Sequence, residues 1–225
     1  MSDLAAHLVD RVLPDVPVRQ WVLTVPFPLR YPLGYDPELC HAVKGIFIRA
    51  VMGFVLRRAA AEGMADGRTG SVVATQRFDS ALRLAPHWHA IALDGVFTDL
   101  GPGRTSRFHV IDPPTDEDNA RLVRTVRNRV RSLLRRHGLL AENDELESHA
   151  GEVASALDTC RAAAVQGRIA FGPRAGREPA RMHRCPDPAP PPPRPLCSDL
   201  DGFSLHCGVA FGSFRPLASS ACADT

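Results

Sequence analysis

Lysine is nearly absent: Lys44 stands alone among 27 basic residues, and the other 26 are arginines. With 25 acidic residues the formal net charge is only +2, too small to name a partner by bulk attraction. The arginine bias fits a chain that grips phosphate with planar forks, and it equally fits the codon usage of a GC-rich genome. Among the six cysteines (40, 160, 185, 197, 207 and 222) no Cys-x-x-Cys pair and no short Cys/His cluster occurs, which excludes a structural zinc module of the usual spacing. They read as free thiols. Met1-Ser2-Asp3-Leu4 carries no basic segment ahead of an apolar one, so no export signal is visible and a cytoplasmic protein is expected. The most apolar stretch, Gly45 to Leu56, is broken by Arg49 and is too short to span a bilayer, so no membrane partner is expected. No internal repeat appears. What is present is ordinary for a globular chain: 225 residues, 44% hydrophobic and 23% charged, enough for one domain with a core.

The hydrophobic pattern predicts an α+β fold in which an antiparallel sheet is flanked by long amphipathic helices. A short helix is expected over Asp3 to Leu13, a strand over Gln20 to Val25, and a Pro/Gly-bearing loop over Phe27 to Tyr35. Asp36 as N-cap and Pro37 at the first helical position then open a long helix that ends before Gly63. Strands follow at Ser71 to Phe78 and Leu84 to Leu93, the second ending at the hairpin dipeptide Asp94-Gly95. Val96 to Phe97 and Arg107 to Ile111 read as another antiparallel pair. Thr115 and Asp118 form a capping-box pattern that opens a second long helix running to Gly138. A helix over Glu145 to Gln166 and a short extended piece over Arg168 to Phe171 complete a core spanning 1–172. From 173 to 225, prolines and four of the six cysteines dominate, and a poorly ordered tail is expected.

The chemistry concentrates in His87-Trp88-His89. On a strand, residues i and i+2 share a face, so both imidazoles can reach one ion while Trp88 points to the core. Spacing alone is a weak signal, because nine histidines in a chain of this length give roughly 0.4 such pairs by chance. Two ordinary half-buried histidines would look the same. The neighbouring strand offers Gln76 as a third donor, or as a solvent-facing residue. Two imidazoles, an amide oxygen and water would suit magnesium or manganese better than structural zinc.

The runs Val18-Arg19-Gln20-Trp21-Val22-Leu23-Thr24-Val25-Pro26-Phe27, Gln76-Arg77-Phe78, and Leu84-Ala85-Pro86-His87-Trp88-His89 leading to Leu93-Asp94-Gly95-Val96-Phe97 resemble the rolling-circle insertion-sequence transposases. These belong to the His-hydrophobic-His single-strand endonucleases. The similarity extends from the first residues to about Pro173 and returns at Gly202-Phe203-Ser204-Leu205-His206. The resemblance implies a divalent magnesium or manganese ion on His87 and His89, single-stranded DNA at transposon ends as partner, and strand cleavage through a 5′-phosphotyrosine.

The family carries its nucleophilic tyrosine, often two of them four residues apart on a helix, after the histidine motif. The only tyrosines here, Tyr31 and Tyr35, precede it, and Pro32 and Gly34 between them argue against a shared helical face. The zinc module that commonly precedes the segment matching Leu4 to Leu13 is also missing. Together these imply a copy cut at both ends, bearing the metal platform yet deficient in cleavage, or else a non-catalytic DNA-binding remnant. The expected DNA surface is the arginine row Arg121, Arg124, Arg127, Arg131 and Arg135 on the second long helix, with a solvated helix face as the plainer alternative.

Overall fold

The computed structural model describes residues 7–79, 82–99, 106–140 and 195–212. The expected helix over Glu145 to Gln166 and the extended piece over Arg168 to Phe171 lie outside them, as do Cys160, Cys185 and Cys222. After a π-helical turn at Leu8–Val12 come β1 (Val18–Thr24), a 3-10 turn (Phe27–Leu29), α1 (Arg30–Tyr35) and α2 (Pro37–Ala61). The chain continues with β2 (Ser71–Phe78), β3 (Leu84–Leu93), β4 (Gly95–Thr98), β5 (Arg107–Val110), α3 (Asp116–Arg136), β6 (Cys197–Leu200) and β7 (Phe203–Phe211). Five strands form one sheet in the order β2-β3-β1-β7-β6, antiparallel at every junction, and β4 pairs with β5 in a separate two-stranded sheet. The expected α+β class is the class observed.

Both long helices cover the same side of the five-stranded sheet. Trp21, Leu23, Trp88, Ala90, Ala92, Leu205 and Cys207 from the strands pack with Val43, Phe47, Val51 and Val55 of α2 and with Leu122, Val126 and Val130 of α3. Helix α2 is long and apolar enough to cross a membrane, but that apolar stripe is the one buried here. Its start is set by Asp36, whose carboxylate accepts from the amides of Glu38 and Leu39 at 2.9 Å each. Thr115 and Asp118 cap α3 reciprocally, as their spacing predicts. Asn119, fully buried on α3, donates to the Leu205 carbonyl at 2.8 Å and to Ser198 Oγ at 3.3 Å, pinning the helix to β7 and β6.

Three expectations need correction. The segment expected to belong to a poorly ordered tail contributes β6 and β7, and β7 lies in the middle of the sheet beside β1. Phe203, Leu205 and Cys207 alternate inward with period two, a signal diluted by the prolines upstream. Asp94-Gly95 is no hairpin turn: Asp94 is held by Arg19 in a buried two-pronged pair (3.0 and 2.7 Å), and the chain passes to the second sheet. A side chain at Gly95 would place Cβ 2.1 Å from the His109 carbonyl oxygen, so glycine is required by close approach rather than by a turn. Residues Phe27 to Tyr35, expected as a loop, are helical.

Candidate functional site

Strand β3 alternates strictly. Trp88 and Ala90 are fully buried beneath the helices, and His87, His89 and Ile91 are half-buried on the opposite face. The register sets His87 between Thr24 of β1 and Gln76 of β2, and His89 between Val22 and Ala74. Directly paired residues share a face, so Gln76, His87 and Thr24 form one row and Ala74, His89 and Val22 the next. Across β1, Val22 also pairs with His206 and Thr24 with Ser204, which carries both rows onto β7. The two imidazole centroids are 5.0 Å apart with ring planes at 62°.

The hydrogen bonds restrict which ring nitrogens are available. His87 Nδ1 lies 2.6 Å from the Ala85 carbonyl oxygen. A carbonyl only accepts, so this nitrogen carries the proton and Nε2 keeps its lone pair. His89 Nδ1 lies 3.0 Å from Gln20 Nε2 on β1. With the amide nitrogen donating, Nδ1 is the acceptor; a half-turn of the amide puts Oε1 there, which accepts from Nδ1–H and leaves the Nε2 lone pair free. In either arrangement His89 Nε2 is buried with no hydrogen-bond partner. An orphaned ring nitrogen beside a second imidazole is a place a divalent cation fits. Burial, and then the proximity of His87, holds the His89 imidazole below its ordinary 6.5, so it is neutral at neutral pH, and its Nε2 can ligate in the arrangement where Gln20 Oε1 takes the Nδ1 proton.

Gln76 is exposed; its amide nitrogen donates to the Phe78 carbonyl at 3.1 Å, which leaves Oε1 as its free acceptor. Among the described residues no group of three His, Cys, Asp or Glu side chains gathers around one point. The donor set on this face is two imidazoles with neutral oxygen donors at hand. Gln20 was missed in the sequence as a site residue. The available signal was its parity on β1, which puts a polar residue on the face that His89 occupies.

Tyr31 and Tyr35 do share a helical face, against the sequence expectation. Both lie on α1, their rings 4.6 Å apart and tilted by 38°, with Leu33 between them buried in the core and Tyr35 58% exposed. Helix α1 follows β1 after a single short turn. It therefore sits at the end of the sheet where Thr24 meets His87.

The arginine row is placed elsewhere. Helix α3 lies on the side of the sheet away from the imidazoles, with its arginines facing outward from the core. Arg127 is ion-paired with Asp201 in the β6–β7 turn, Arg131 approaches the same carboxylate at 3.9 Å, and Arg121 pairs with Glu117 at 2.5 Å. Arg124 and Arg135 are exposed. The structure therefore does not bring the five arginines and the two histidines together. Of the thiols, Cys207 is buried and pushed up to about 12 chiefly by that burial, which makes it chemically inert.

Fold and site together define an α+β protein with a helix-covered sheet whose other face gathers the histidines and glutamines. A family model described as "Putative transposase" matches residues 70–218, well over half of the chain. The chain belongs to that transposase family, and its role is in DNA transposition. No curated protein and no solved structure matches it.

Proposed function

We propose that the open sheet face is a metal-bearing platform for single-stranded DNA at transposon ends, serving strand cleavage and transfer in rolling-circle transposition. The observation that carries this reading is the orphaned His89 Nε2 beside His87, on the face the helices leave uncovered. His87 and His89 would hold a magnesium or manganese ion, with Gln76 Oε1 as the further donor. When bound, such an ion supplies positive charge to the non-bridging oxygens of a scissile phosphate. The Ala85 carbonyl and the Gln20 amide orient the two rings from behind, and Thr24 and Ser204 offer hydroxyls along the same row.

This chain would serve that reaction as the platform that binds DNA and metal, not as the source of its nucleophile. Its only tyrosines, Tyr31 and Tyr35, stand before the histidine strand, where the resembling transposases carry the nucleophile after it. The reading that remains is DNA binding with metal and without turnover. An assay with end-labelled single-stranded oligonucleotides and manganese decides it. A manganese-dependent gain in affinity, lost in His87→Ala/His89→Ala, with no covalent adduct on a denaturing gel is the expected outcome. An adduct lost in Tyr31→Phe or Tyr35→Phe would make the chain a cleaving enzyme with that residue as nucleophile. Binding indifferent to manganese and to both histidine substitutions would remove the platform altogether.

A further inference from the structure

Among the described residues and away from the histidine face, arginines without a counter-charge gather in a groove between α2 and α3, on the far side of the sheet. The helices run antiparallel and leave two open chambers between them. The first, about 250 Å³, is lined by Phe54, Arg57, Arg58, Asp118, Arg121 and Thr125 among others. Arg58 is ion-paired to Asp118 at 3.0 Å and Arg121 to Glu117, so Arg57 is its spare cation. The second, about 370 Å³, is lined by Ile46, Arg49, Asn128, Arg129, Ser132 and Arg136 and contains no carboxylate. Arg49 and Arg129 have no hydrogen-bond or ion-pair partner among the described residues, and Arg136 spends only its Nε, on the Ser132 carbonyl at 3.3 Å. Asn128 uses its side-chain oxygen on Arg127 and keeps its amide protons for a ligand.

Helix α2 feeds both chambers through one device used twice. Gly45 precedes Arg49 by four residues, and Gly53 precedes Arg57 by four. In each case a guanidinium nitrogen lies 3.0 Å from where a glycine Cβ would sit, so the arginine lies back along its own helix while remaining exposed. The two pairs are eight residues apart, about 12 Å along the axis, a length that spans several phosphates of a DNA strand. A cleft holding three guanidiniums without a counter-charge is self-repelling when empty and is relieved by an anion, and planar forks match phosphodiester oxygens.

We propose that the groove between α2 and α3 is a second DNA-binding site that takes the phosphate backbone without a metal ion, on the opposite side of the sheet from His87 and His89. The outward row on α3 is the weaker candidate, since Asp201 already engages two of its members.

The test is fluorescence anisotropy of single-stranded and duplex oligonucleotides of one sequence, with EDTA present, across a series of salt concentrations. Arg49→Ala/Arg129→Ala/Arg136→Ala is expected to weaken binding at least about tenfold at low salt. It should also flatten the slope of log K against log[salt] by about 2. Three exposed arginines elsewhere, changed as Arg11→Ala/Arg83→Ala/Arg107→Ala, should leave both quantities near wild type. The form of DNA held in the groove is the one whose binding the groove variant loses. Unchanged affinity, or an equal loss in the control set, overturns the proposal. His87→Ala/His89→Ala should bind normally in EDTA, and the groove variant should still bind manganese by electron paramagnetic resonance. Failure of the groove is thereby separable from failure of the platform.

Discussion

Gln20 reaches across from β1 to His89 Nδ1 at 3.0 Å, and the Ala85 carbonyl does the same for His87 at 2.6 Å. One partner is backbone and cannot be mutated away; the other is a side chain that can. Groups that orient a ligating imidazole commonly change metal affinity by about 10–100-fold when removed. Gln20→Ala is therefore expected to weaken manganese binding, read by calorimetry or paramagnetic resonance, by about tenfold, with the melting temperature little changed. Gln20→Glu, which can only accept from Nδ1–H, should retain or tighten it. Equal affinity in all three proteins would leave Gln20 as a strand residue with no part in the site. The histidines were legible as a pair because strand parity is a strict rule. Gln20 was not, because which strand lies beside β3 is a fact of topology that one strand's sequence does not carry.

At the scale of elements, local chemistry accounts for what could be foreseen. Strands β2 and β3 begin and end where the residue pattern puts them, and the Asp36 and Thr115 caps sit where their spacing predicts. Helix α1 escaped for two reasons. Pro32 lies in its first turn, where an amide proton has no intrahelical partner, so the ring costs nothing there. Gly34 faces β3, and a Cβ would come within 2.7 Å of the Leu84 side chain. Read alone, both residues break a helix; read against β3, both are compatible with it. The Thr115–Asp118 box also gives a pH signature. Burial raises the Asp118 carboxyl, but hydrogen bonds from Thr115 and the charge and hydrogen bond of Arg58 outweigh it, so the net displacement is below the ordinary 3.8. A depressed carboxylate contributes stability that is complete above its unfolded value and is lost as pH falls through the folded one. Asp118→Ala should cost about 1 kcal/mol at pH 7, measured by urea unfolding. Its difference from wild type should shrink as pH drops below 3.8; a difference constant down to pH 2.5 would contradict that assignment.

For the molecule as a whole, the sheet divides two kinds of chemistry. Imidazoles and amides face one way, and guanidiniums in the interhelical groove face the other, so DNA held on both would have to pass around the sheet or arrive as two segments. The sheet itself depends on a pairing between distant parts of the chain: Val18 meets Phe211, and β7 occupies the whole free edge of β1. A chain stopped after Arg194 would leave that edge bare and uncover Leu23 and Trp21, which invites edge-to-edge association. Such a fragment is expected to aggregate, by light scattering, at concentrations where the full chain is monodisperse; a soluble, cooperatively melting fragment would show that β7 is dispensable. During synthesis the same geometry has a cost in time. Strand β1 leaves the ribosome early and must stay out of wrong partnerships until its companion clears the exit tunnel, so the nascent polypeptide is at its most vulnerable, and most in need of a chaperone, over nearly its entire translation.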